Sequence, residues 1–280
     1  MISFRAKYEY VISDGTKLFP AILLPSESEK HPSVVIRTPY VDVLEKLTEE
    51  EICLRYMNEY AVWLERGYAI VLQHCRGRGK SDGDCVPYIN ERKDSLSLYD
   101  WIRAQDFYNG EIFLRGGSYL SSVHYCASPY PDDIKGAIFA RMDNKRYNIC
   151  YRNGFMKKGL HGHWYVGMYK AKTMKKKSYT LASFDLLPLS DFTKTVFGES
   201  VESFDDMLRS PDPEAPFWST HNGGIHAGKA LEGLSFPALF TTSQYDIFVG
   251  GVFDMWNSLD DSTKQEVIWA LGLSVGATDC

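Results

Sequence analysis

Ile112-Phe113-Leu114-Arg115-Gly116-Gly117-Ser118-Tyr119-Leu120-Ser121 decides the fold. A short apolar run leads into two glycines and a serine. Ser122-Val123-His124-Tyr125-Cys126-Ala127 follows, a stretch of small residues suited to a closely packed helix. The pattern predicts a strand, a sharp turn and a helix, with Ser118 at the apex. That is the geometry of a nucleophile elbow, which lifts a hydroxyl clear of the backbone and sets it beside free amides. Small residues at 116 and 121 let such a helix pack against its strand. The motif more often has glycine at the second place, so Ser121 is a departure.

Working outward, other short apolar runs recur between helical patterns. They are Ser33-Val34-Val35-Ile36, Tyr68-Ala69-Ile70-Val71-Leu72, Ala137-Ile138-Phe139, Ala238-Leu239-Phe240 and Val267-Ile268-Trp269-Ala270-Leu271. Each reads as a strand buried on both faces, as a parallel sheet demands. Helices are predicted over Glu49 to Arg66, closed by Gly67, and over Asp94 to Ala104, where Leu96, Leu98, Trp101 and Ile102 keep helical spacing. Strand–helix alternation implies an α/β fold with right-handed crossovers. Near the N-terminus, Lys7 to Val11, the turn Ser13-Asp14-Gly15-Thr16, and Leu18 to Leu24 predict a hairpin ahead of the parallel strands. The alternation stops between about Arg141 and Gly233, which predicts an inserted, mainly helical subdomain. The expected division is therefore 1–140 and 234–280 for the core and 141–233 for the insertion.

Composition narrows the function. The chain has 280 residues, 44% of them hydrophobic, and a net charge of −5, which gives no reason to expect a nucleic-acid partner. Lys170-Ala171-Lys172-Thr173-Met174-Lys175-Lys176-Lys177 is the one basic cluster and reads as a solvated helix face. Six cysteines lie at irregular spacing with no C-x-x-C, so reduced thiols are expected and not a disulfide framework. No signal-peptide pattern and no run of 18 apolar residues occurs. A cytoplasmic location without a membrane span is the resulting expectation. No zinc-spaced cluster and no dinucleotide fingerprint is visible, so neither a metal nor an organic cofactor is implied. Arg76-Gly77-Arg78-Gly79-Lys80-Ser81 ends like a phosphate-binding loop, but the first glycine of such a loop would fall on His74, and no helix pattern begins at Ser81.

Three further residues join Ser118 as candidates. Asp246 follows the run Ala238 to Thr242, at the carboxyl end of a predicted strand, where open α/β sheets build their sites. A carboxylate there would orient an imidazole and stabilise its charged form. Tyr40, in Arg37-Thr38-Pro39-Tyr40, follows another strand end and is placed to donate its hydroxyl to an oxyanion. The backbone N–H of Tyr119 would be the second donor. One such donor is worth about 2.7–4 kcal/mol of transition-state stabilisation.

These residues carry a resemblance. With Asp14-Gly15, Gly67-Tyr68, Arg76-Gly77-Arg78-Gly79-Lys80-Ser81-Asp82-Gly83, Asp100-Trp101-Ile102, Leu187-Pro188-Leu189, Phe217-Trp218 and Tyr245-Asp246-Ile247-Phe248, the chain resembles the cocaine esterase and X-Pro dipeptidyl-peptidase group of α/β-hydrolases. The resemblance implies an α/β-hydrolase core with a helical cap. It implies a Ser118 nucleophile, Asp246 as triad acid, Tyr40 and the Tyr119 amide as oxyanion donors, and a small-molecule or peptide acyl substrate. Two departures stand out. His74 occupies a place usually held by Asp. The family's histidine and its C-terminal β-sandwich would follow the last strand, yet no histidine occurs after Asp246 and the sequence ends Gly272-Leu273-Ser274-Val275-Gly276-Ala277-Thr278-Asp279-Cys280. This tail reads as a truncated or frame-shifted end. Losing the base of a serine triad costs about 10⁶ in turnover. His124, His161, His163, His221 and His226 are the possible substitutes, and nothing in the spacing favours any of them; packing or surface roles are expected. The alternative function is a non-catalytic member of the fold that only binds ligand.

Overall fold

The computed structural model describes residues 4–171, 185, 187–219, 231, 234–259 and 264–270. Its frame is one eight-stranded sheet. The strands are β1 (Arg5–Tyr8), β2 (Pro20–Leu24), β3 (His31–Thr38), β4 (Ala69–His74), β5 (Tyr108–Gly117), β6 (Ile134–Ala140), β7 (Ala238–Ser243) and β8 (Lys264–Ala270). Their order across the sheet is β1-β2-β4-β3-β5-β6-β7-β8. The pairings of β1 with β2 and of β2 with β4 are antiparallel, and all others are parallel. This is the mostly parallel sheet that the apolar runs led one to expect. The predicted Asp-Gly hairpin forms between Val11–Ser13 and Thr16–Leu18. Asp14 and Gly15 both have positive φ, 44° and 84°, the backbone that a two-residue hairpin turn requires.

The central strands read as unbroken apolar runs because helices cover both faces. On one face Val34, Ile36, Ile70 and Leu72 pack with Ile52, Tyr56 and Leu64. These last come from α1 (Glu49–Glu59) and α2 (Ala61–Glu65). On the other face Val35, Val71 and Leu114 pack with Leu98 and Ile102 of α3 (Glu91–Arg103) and Val123 of α4 (Tyr119–Tyr125). Thr48 starts α1 with a reciprocal cap: its hydroxyl accepts from the Glu51 amide at 3.2 Å, and Glu51 accepts from the Thr48 amide at 2.7 Å. The single helix expected over Glu49 to Arg66 is two helices. The break falls at Tyr60, whose backbone leaves the helical region where its ring is buried with the Arg115 guanidinium 5.6 Å from its centre. Gly67, at φ 83°, ends the second helix as expected.

Beneath the sheet's carboxyl edge lies a buried ionic network. Arg37 of β3 is fully buried and donates to Glu91 at 2.7 Å, to Gln73 at 2.8 Å and to Ser95 at 3.0 Å. Arg76 pairs with Asp94 at 2.5 Å and with Asp14 at 2.8 Å. The glycine-rich loop after β4 is thus held by structural contacts. Ser81 is buried, donating to the His74 carbonyl at 2.7 Å and accepting from the Phe19 amide at 2.9 Å, and no helix starts there.

Between β6 and β7 the described residues form short helices and one small ribbon. The helices are α5 (Arg146–Cys150), a π-helical turn at Lys158–Gly162, α6 (His163–Met168), α7 (Phe192–Phe197), α8 (Glu202–Leu208) and α9 (Pro216–Ser219). The ribbon pairs Tyr151–Arg152 with Phe155–Met156. A final helix, α10 (Val249–Asn257), follows β7. Cys53, Cys75, Cys85, Cys126 and Cys150 are buried, and no disulfide joins them among the described residues. No helix among the described residues is long and apolar enough to cross a membrane. Lys172 to Lys177 of the basic cluster, His221, His226 and residues 271–280 with Cys280 lie outside the described residues.

Candidate active site

Ser118 sits where β5 passes into α4, with φ 53° and ψ −128°. A side-chain-bearing residue at such a φ stores strain and is seldom tolerated away from functional sites. Two local features hold the bend. The Ser118 amide donates to the Ala140 carbonyl at 2.8 Å, which ties it to β6. A Cβ on Gly116 would lie 2.4 Å from the Leu120 carbonyl carbon, so only glycine lets α4 sit this close to its strand. The departure at Ser121 also has a reason. Its buried hydroxyl donates to the Gly116 carbonyl at 2.8 Å and accepts from the Ala140 amide at 3.2 Å. It therefore bridges β5 and β6 from the helix. The Tyr119 amide is the first of α4, a position where an N–H has no intrahelical acceptor.

Asp246 follows β7 at the same carboxyl edge, one strand beyond β6. It is buried, and its Oδ1 accepts from the Phe248 amide at 2.7 Å. This turn sends Ile247 and Phe248 into the wall of a cavity of about 110 Å³ that also exposes Ser118 and Tyr119. The chain segments that follow β5 and β7 thus both reach this one cavity. Asp246 itself is not among the residues that line the cavity.

Tyr40 follows β3 and is tied to the insertion: the Trp164 indole N–H donates to its hydroxyl oxygen at 3.1 Å. Trp164 in turn packs against Tyr119 (4.9 Å between ring centres) and lines the cavity. Tyr119 contributes a buried side chain as well as an amide. Its hydroxyl donates to Glu91 at 2.9 Å and accepts from the Tyr88 amide at 2.7 Å. Burial pushes the phenols of Tyr88 and Tyr119 well above their ordinary range, so both stay protonated. Met142, Ile149 and Leu160 complete an apolar lining. Sequence reasoning missed Tyr88, Trp164 and these three, because no motif marks residues that the insertion and a long loop bring to the site.

The histidines separate clearly. His74 accepts from the Lys80 amide at Nδ1 (3.2 Å), so Nε2 carries the proton and faces the Tyr56 hydroxyl at 3.1 Å. Burial, reinforced by Lys80, lowers it to about 3. His124 points away from the elbow, its Nε2 facing the Arg115 carbonyl at 3.1 Å, and burial lowers it to about 4. His163 is exposed. His161 is the exception to the expected packing and surface roles: it lines the Ser118 cavity, stacked on Trp164 at 5.8 Å. Burial, then Arg146 and Lys157, lower it to about 3. No group of three metal-ligating side chains occurs among the described residues.

Residues 14–273 match the X-Pro dipeptidyl-peptidase (S15) family. The chain is 28% identical over 117 residues to the cocaine esterase of Rhodococcus sp. (strain MB1 Bresler), an alignment covering 41% of this chain and 19% of that protein. It superimposes on an aminopeptidase from a marine sediment Thaumarchaeota archaeon with a TM-score of 0.70 and 19% identity, covering 96% of this chain and 48% of the other. A CocE/NonD family hydrolase from Staphylococcus aureus gives a TM-score of 0.62 at 16% identity, covering 98% and 50%. The chain therefore spans about half the length of these two solved structures. With the elbow, the strand order and a family match running almost end to end, the chain belongs to the X-Pro dipeptidyl-peptidase (S15) family of α/β-hydrolases.

Proposed function

We propose that this chain carries the nucleophile-bearing part of a serine hydrolase that cleaves acyl esters or amides through an ester on Ser118. The observation that carries the reading is the strained Ser118 at the β5–α4 junction, opening on a cavity whose far wall is the Ile247-Phe248 turn held by Asp246. In this reading the Ser118 oxygen attacks the substrate carbonyl. The Tyr119 amide and the Tyr40 hydroxyl, whose oxygen accepts from the Trp164 N–H, stabilise the oxyanion. Asp246 orients the imidazole that removes the serine proton. The helical insertion acts as the cap that shapes the acyl pocket.

A second reading, ligand binding without turnover, is favoured by one observation. None of the five described histidines is hydrogen-bonded to Asp246, and the one in the cavity is too weak a base at neutral pH. Labelling with a fluorophosphonate separates the two. A mass adduct on the intact chain, absent in Ser118→Ala and formed faster when free imidazole is added, is the outcome expected for the hydrolase. A chain that stays unlabelled with and without imidazole is a binding protein.

A further inference from the structure

Trp164, on α6 of the insertion, touches both residues that would supply the oxyanion donors. Its indole N–H donates to the Tyr40 hydroxyl oxygen at 3.1 Å, across 124 residues of sequence. Its ring centre lies 4.9 Å from that of Tyr119 and 5.9 Å from that of Tyr88. Trp164, Tyr119 and Tyr88 line the Ser118 cavity together. A separate observation marks the same cluster. Tyr88 is buried with φ 74°. That backbone strains a bulky residue, and such strain gathers at functional sites. From this conformation the Tyr88 amide donates to the Tyr119 hydroxyl at 2.7 Å, and that hydroxyl donates to Glu91 at 2.9 Å. The insertion meets Tyr88 a second time, since the Arg146 guanidinium of α5 stands 4.4 Å from its ring centre. Tyr40, Tyr88 and Tyr119 come from the core part of the chain, whereas Trp164 and Arg146 come from the insertion.

We propose that Trp164 is a positioning residue for the chemistry at Ser118: its indole holds the Tyr40 hydroxyl and the Tyr119 side chain in a fixed relation, so that acylation depends on the insertion and not on the core alone. The inference rests on the reading of Ser118 as the acylated residue and of Tyr40 as an oxyanion donor. A phenol oxygen has two acceptor sites and one rotatable hydrogen. With one of those sites filled by the indole N–H, fewer orientations remain for the hydrogen. A donor oriented before the reaction needs no reorganisation when the oxyanion forms, which is the source of its effect. Packing of the indole on Tyr119 and Tyr88 keeps that N–H in place. The insertion thus does more than shape a pocket.

Fluorophosphonate labelling of the intact chain, with free imidazole present, tests this in a cycle of wild type, Trp164→Phe, Tyr40→Phe and the double variant. Trp164→Phe keeps an aromatic ring and removes the N–H. It is expected to slow the maximal labelling rate about fivefold, the worth of one neutral hydrogen bond, with the half-saturating probe concentration unchanged. Added to Tyr40→Phe it is expected to slow labelling no further, because the group it acts through is gone. Equal slowing in both backgrounds, a loss carried by the half-saturating concentration instead, or no loss in the single variant overturns the inference. If Trp164→Phe does not fold, 3-benzothienylalanine at position 164 takes its place. That side chain keeps the bicyclic shape with sulfur where the N–H was, and its cycle is read in the same way. A wild type that stays unlabelled ends the reading of Ser118 and the inference with it. A labelled wild type with independent losses ends the inference alone.

Discussion

Ser118 pays for its exposure in backbone strain. A non-glycine residue at φ 53° costs about 1–3 kcal/mol. Ser118→Gly is expected to raise the urea midpoint, with a gain of about 1 kcal/mol, while abolishing fluorophosphonate labelling; a loss of stability would show that the hydroxyl holds the bend. Tyr40→Phe keeps the ring and removes the hydroxyl that meets Trp164. Labelling of Ser118 is expected to slow by about a hundredfold, the worth of one oxyanion donor. An unchanged rate in this variant assigns Tyr40 to packing. At this scale Ser118 was legible because glycine at 116 and a small residue at 121 are local steric requirements, written next to the residue they serve. His161 was not legible, since its value comes from a wall built by distant segments.

Between elements, the tether of α3 to β3 is the sensitive joint. Arg37, Glu91, Asp94 and Arg76 are held together in the interior, and the Tyr119 hydroxyl at the start of α4 donates into the same cluster. Removing one member leaves a buried charge without its partner. Glu91→Gln is expected to cost about 3–5 kcal/mol in urea unfolding. The double variant Arg37→Met, Glu91→Leu is expected to recover much of that. A double variant no better than the single one would place the loss in the Tyr119 hydrogen bond instead. The Arg37-Thr38-Pro39-Tyr40 stretch looked like a site motif in the sequence. In the fold Tyr40 meets Trp164, whereas Arg37 turns inward to anchor a helix. Tyr40 lies past the end of β3, after the bend at Pro39, so neighbours in one motif serve different parts of the molecule, and the sequence alone does not say which charged groups will meet.

At the scale of the molecule, His74, His124 and His161, lowered by burial, shape the response to acid among the described residues. His74 and His161 are lowered to about 3 and His124 to about 4, in each case first by burial. An unfolded histidine titrates near 6.5. As pH falls from about 6.5 toward 4, the unfolded chain takes up three protons that the folded chain refuses. Stability therefore declines with falling pH by about 1.4 kcal/mol per unit for each histidine, and is fully present above the unfolded value. Urea titrations across that window are expected to show this slope, flatter by one proton in His74→Gln. A stability independent of pH between neutrality and about 5 would mean that the histidines are hydrated in the folded chain.

The sheet, its mostly parallel sense, the elbow and the carboxylate after β7 were determined by the sequence itself. Each rests on short-range rules: apolar runs of strand length, turn residues with positive φ, and small residues where a helix must approach its strand. The tertiary structure alone decided that α1 breaks at Tyr60, that Trp164 reaches Tyr40, and that His161 joins Ser118 while His124 turns away. Those outcomes depend on how elements far apart in the chain share space and desolvate one another, and long-range packing leaves no period in the sequence from which to read it.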